Sequence, residues 1–110
     1  MLRLLAVFFC SAFAVAAPPG PAMAQGSTAE LGKGRVLVTE RCGGCHAILP
    51  SRVSRHGDAP PFAEIVKRYP PEALAEALAE GIEVGHPDMP TFEFSEEEVL
   101  QIVAYLKSLE

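Results

Sequence analysis

The stretch RCGGCHAI, Arg41 to Ile48, constrains this chain more than any other: two cysteines stand three positions apart, with histidine directly after the second. The third cysteine, Cys10, sits far upstream in an apolar run. A small chain must organise itself around whatever bonds this cluster makes. Three chemistries can use such a cluster: a redox disulfide, half of a zinc site, or covalent attachment of haem. The rest of the sequence has to separate them.

The first residues speak to compartment. Arg3 precedes an unbroken apolar and small-residue run, Leu4 to Ala17 (LLAVFFCSAFAVAA). PPGP then breaks the run, and AMAQ offers an A-x-A cleavage site after Ala24. That order is the plan of a secretory signal peptide. The expected organisation is therefore a cleaved signal over residues 1–24 and one domain over residues 25–110. The run is shorter than the roughly 18 apolar residues that mark a membrane span, so no stable span is expected after cleavage. Phe8 and Phe9 stand where a lipid-attachment site wants small residues, so Cys10 is expected to leave with the signal.

With 14 acidic against 9 basic residues the full chain carries a formal charge of −5, and loss of Arg3 makes it more acidic. Such a surface argues against nucleic acid as a partner. Domains this short commonly depend on a disulfide, a metal or a cofactor to hold together. After cleavage the only cysteines left are in CGGCH.

Two helices read clearly. STAE, Ser27 to Glu30, is a capping-box pattern, and behind it Leu31, Gly34, Leu37, Val38 and Arg41 fall at helical spacing up to Cys42. SEEE, Ser95 to Glu98, is a second such pattern, with three carboxylates at the positive end of the helix dipole. From there Val99, Ile102, Val103, Leu106 and Leu109 form one apolar face. Between them, residues 70–81 (PPEALAEALAEG) predict a short helix opened by proline and closed by glycine, with Leu74 and Leu78 on one face. FAEIVKRY, Phe62 to Tyr69, predicts another turn or two, ended by the prolines that follow. No stretch alternates as a strand would. The expected class is all-α, with long loops packed around something.

Against this frame the redox disulfide fares poorly. Such CxxC sites sit at a strand-to-helix junction in a βαβ setting, whereas here a helix precedes the motif. Structural zinc takes four ligands, and His56 and His86 match no paired-histidine spacing. Haem attachment needs what is present. Each thiol adds across one porphyrin vinyl group, the two intervening residues let both sulfurs reach, and the next histidine is held beneath the iron. C-x-x-C-H is the sequence sign of this arrangement, which points to Cys42, Cys45 and His46. Candidates for a sixth iron ligand after cleavage are Met89, His56 and His86. Met89, in the proline-framed HPDMPTF, is preferred over a core-filling role. His86 is the runner-up, and His56, in the polar SRHGD, is expected to be exposed.

Taken together, GRVLVTERCGGCH, APPF, HPDMPTF and LQIVAYLKSL resemble the small bacterial monohaem class I cytochromes c, from about Leu31 to Leu109. The resemblance implies a cytochrome c-like fold in which the first and last helices cross, with loops wrapped around one covalent haem c. Gly34, Val38 and Cys42 would cross Ile102 and Tyr105. Val38 replaces the aromatic residue common in the family, which should loosen the crossing. Pro60 would accept the proximal histidine's N–H, a bond that fixes ring orientation and ligand strength. Phe62 would pack on the haem, and Pro90 and Phe92 would shape the methionine loop. Arg52, Arg55 and Tyr69 are candidates for the haem propionates.

Iron held by His46 and Met89 has no free position for substrate, so the expected protein passes single electrons and is not itself an enzyme. The expected function is a periplasmic electron-transfer protein. Its partners would be redox proteins: a periplasmic dehydrogenase, a quinol-oxidising complex or a terminal oxidase. The alternative is a dedicated haem subunit of such a dehydrogenase or oxidase. A catalytic or gas-sensing role would follow only if Met89 were not a ligand. The acidic surface gives either steering towards a basic partner or mere solvation of helix faces.

Overall fold

The computed structural model describes residues 27–82 and 86–110, so the expected signal peptide and Cys10 lie outside the described residues. Helix α1 (Thr28–Arg41) is followed by the CGGCH turn and an irregular loop. Then come α2 (Phe62–Arg68), a 3₁₀ turn (Pro71–Leu74), α3 (Ala75–Glu80), a second loop and α4 (Glu96–Lys107). Among the described residues there is no strand, and the all-α, cytochrome c-like expectation holds.

Both main helices start where the side chains can cap them. Ser95 forms the full reciprocal box: its hydroxyl accepts the Glu98 amide while the Glu98 carboxylate accepts the Ser95 amide at 2.9 Å. The Ser95 amide, and after it the serine hydroxyl, hold the Glu98 carboxyl below its ordinary range. At α1 only the serine half forms. Ser27 accepts the Glu30 amide at 3.3 Å, but the Glu30 carboxylate turns to Lys33 instead. On an exposed first turn an i, i+3 ion pair competes well with a return bond to the backbone.

The segment expected to be one helix over residues 70–81 is two pieces. Pro71 is buried at the start of the 3₁₀ turn, which passes into α3 at Ala75. Consecutive prolines set the extended entry, since the residue before a proline is driven out of the α region. Tyr69, before Pro70, accordingly ends α2 with an extended backbone.

The first and last helices cross at Gly34. A Cβ there would lie 1.8 Å from the Gln101 carbonyl oxygen and 3.1 Å from Tyr105 Cβ. Only glycine allows this approach. Gln101, absent from the apolar pattern, is therefore a crossing residue. It is buried, and its amide donates to Glu97 Oε1 at 3.0 Å. Val38, one turn further along α1, is fully buried, so the absence of an aromatic there leaves no exposed seam. Val99, Ile102, Tyr105 and Leu106 of α4 complete the core with Phe62 and Val66 of α2, Leu78 of α3 and Phe94. No helix among the described residues is long and apolar enough to cross a membrane.

Candidate functional site

The CGGCH turn winds off the C-terminus of α1. Cys42 caps the helix, its amide reaching the Val38 carbonyl, and the amides of Cys45 and His46 both donate to the Cys42 carbonyl at 3.1 and 3.0 Å. Gly43 is required for this tight exit, because a Cβ there would lie 2.5 Å from the Thr39 carbonyl oxygen. The turn brings the two cysteines and the histidine to one wall, with no disulfide between Cys42 and Cys45. Burial pushes the Cys42 thiol up to about 11.

The loop after the turn is sewn back onto it. The Arg55 and His56 amides donate to the Cys45 carbonyl, the Phe62 amide donates to the Ala47 carbonyl, and Ser54 Oγ accepts the Ala47 amide at 3.0 Å. From α4, the Tyr105 hydroxyl donates to the Ile48 carbonyl at 2.5 Å. These bonds bring the Pro60 carbonyl oxygen to 2.7 Å from His46 Nδ1. A carbonyl can only accept, so Nδ1 carries the ring proton and Nε2 is left with a free lone pair. The Phe62 ring sits 5.3 Å from the imidazole, tilted by 37°.

Cys42, Cys45, His46, Pro60, Phe62 and Met89 all line one cavity of about 460 Å³. Met89 arrives on the second loop, its amide bonded to the His86 carbonyl, and that loop is tied to α3 through the Phe94 amide and Leu78 carbonyl. Pro90 and Phe92 line the same space, as do the core residues Val38, Leu78, Ile102 and Leu106. The core thus encloses a binding site. The lining, two thiols, an imidazole with a free Nε2 and a thioether all suit a large apolar iron macrocycle.

One expectation needs correcting at the rim, that of an exposed His56. Of the propionate candidates, Tyr69 lines the cavity, but Arg52 and Arg55 are exposed and do not. Arg41 and Arg68, also exposed, line it as well. Arg41 stands directly before Cys42, and its guanidinium lies 6.0 Å from the centre of the Phe92 ring. Its position at the end of α1 was the one signal in the sequence. His56 is half-buried, not exposed, and packs edge-on against His86 at 5.4 Å. Both histidines line the cavity. His86 Nε2 is 3.4 Å from Asp58 Oδ2.

A covalent-haem turn set in an all-α fold defines a c-type cytochrome, and the chain belongs to that family. Residues 29–106 match the family described as cytochrome c oxidase, cbb3-type, subunit III. The chain is similar to cytochrome c-552 of Bradyrhizobium diazoefficiens, 34% identical over 100 residues that cover 91% of this chain and 90% of that protein. No solved structure matches it. As a c-type cytochrome the chain carries covalently bound haem c and functions in electron transport.

Proposed function

We propose that Cys42 and Cys45 would form the two thioether links to haem, that His46 Nε2 and Met89 Sδ would ligate its iron, and that the protein is a periplasmic single-electron carrier without an enzymatic activity of its own. The observation that carries this reading is the His46–Pro60 bond of 2.7 Å. It commits Nδ1 to the backbone and leaves Nε2 as the ligating atom of a side chain that lines the same cavity as both cysteines and Met89. Haem c, when bound, supplies a one-electron iron couple. The residues do the rest. The Pro60 carbonyl holds the imidazole in one tautomer, and Phe62 restrains the ring from its side. The core side chains exclude water, and Arg41 and Arg68 offer cationic partners for carboxylates at the rim. A thioether from Met89 in place of a second imidazole favours the reduced state and raises the potential.

Two measurements test the ligand set. Under denaturing conditions the mass of exported protein should include one haem, and replacing Cys42 and Cys45 by alanine should remove it. The oxidised protein should show the weak near-infrared charge-transfer band of an iron–thioether bond, lost in Met89→Ala and kept in His86→Ala. A band that survives Met89→Ala overturns the assignment.

A second reading is favoured by the family description, which names an oxidase subunit: the domain serves as a fixed electron port of a terminal oxidase. A carrier of the first kind elutes alone from periplasmic extract. A subunit co-elutes with its enzyme.

A further inference from the structure

Two histidines and two aspartates gather at the mouth of the cavity, and electron transfer does not require them. His56 and Asp58 come from the loop that carries Pro60, whereas His86 and Asp88 directly precede Met89 on the other loop. The pairs cross between loops. His56 Nε2 lies 3.4 Å from Asp88 Oδ2, and His86 Nε2 lies 3.4 Å from Asp58 Oδ2. One ligating atom each of His56, Asp58 and His86 fall within 4.8 Å of one another. Among the described residues neither aspartate pairs with a lysine or arginine.

We propose that His56, His86 and Asp58, with Asp88 beside them, form a second metal site that takes a divalent first-row transition ion of the zinc type. The chemistry selects the ion. Imidazole nitrogens suit zinc, copper and nickel, whereas calcium and magnesium prefer all-oxygen shells. The distances suit it too. Ligand bonds of about 2.0–2.1 Å in a tetrahedron put neighbouring donor atoms roughly 3.3–3.4 Å apart, which is the spacing both His–Asp pairs already have. Closing the remaining separation needs only rotation of half-buried or exposed side chains. The two carboxylates offset the ion's charge. One local contact is given up. The Asp58 amide lies 3.3 Å from His56 Nδ1, and ligation through His56 Nε2 moves that ring's proton to Nδ1. The amide then turns to water.

Such an ion would fasten the Pro60 loop to the Met89 loop across the cavity mouth and hold His86 away from the iron. The test is calorimetric titration of the holoprotein with Zn²⁺, which is redox-silent and so leaves the haem's oxidation state alone. One site per protein is expected, not competed by excess Mg²⁺, and its occupation should raise the thermal midpoint. His56→Ala and His86→Ala should each weaken it at least about tenfold, and Asp58→Asn should weaken it as well. His56→Ala is the cleaner variant because it lies off the methionine loop. Zinc-edge X-ray absorption should show imidazole scattering. Absence of a site, an affinity unmoved by His56→Ala, or a zinc shell of oxygen alone would overturn the proposal.

Discussion

Replacing Gly34 by alanine should be among the most damaging one-carbon changes in the protein. The new Cβ would stand 1.8 Å from the Gln101 carbonyl oxygen. Real Cβ atoms essentially never approach closer than 3.0 Å, so α1 and α4 must separate. The obstacle is helix backbone and cannot rotate away. Overpacking a core typically costs about 1–3 kcal/mol, and a backbone obstacle puts this case at the upper end. Alanine returns about 1 kcal/mol of helix propensity, leaving a net loss of roughly 2 kcal/mol. For a domain of this size that lowers the thermal midpoint by about 8–16 °C. Cys42 caps the same helix, so the shift should also lower the yield of haem attachment. Gly32 supplies the internal control: it lies two residues away in α1 with nothing within 4 Å of its would-be Cβ. Gly32→Ala should hold or raise stability by up to about 1 kcal/mol. Thermal and urea unfolding of the two holoproteins, followed by far-ultraviolet circular dichroism, decide the matter. If Gly34→Ala unfolds at or above the wild-type midpoint, the close crossing is not what holds these helices together.

Phe62→Ala removes a buried ring beside His46 and should cost about 3–5 kcal/mol. It should also broaden the proximal-histidine resonances, because the imidazole keeps its Pro60 bond but loses its neighbour. Ser95→Ala should cost about 1 kcal/mol through the lost cap, measured by urea unfolding at neutral pH. Glu98→Ala carries a pH signature. The folded-state pKa of Glu98 is depressed, with the Ser95 amide and hydroxyl as the main causes. Its contribution is therefore full above the ordinary carboxylate value of 4.5 and fades as pH falls through the lower folded value. The gap between wild type and Glu98→Ala should narrow on acidification, and a gap that widens instead refutes the capping role.

The chemistry-bearing features were legible in the sequence because they are local. A CxxCH turn needs only five consecutive residues, helix caps need four, and the apolar face of α4 follows from a fixed helical period. Even the crossing glycine was legible, through the family resemblance that Gly34, Val38 and Cys42 carry. What the tertiary structure decided were contacts between residues far apart in the chain. Gln101 reads as polar surface, yet the close approach at Gly34 buries it. Tyr105 reads as one more crossing residue, yet its hydroxyl reaches the Ile48 carbonyl and steadies the turn that carries His46. That Arg41 and Arg68 reach the cavity lining shows only in the fold, because charge shows no direction until helices and loops are placed. His56 and His86 read as loop residues, and only packing brings them edge to face. Local spacing determines which bonds a chain can make; the three-dimensional fold determines which side chains meet, because burial and distance are properties of packing between segments.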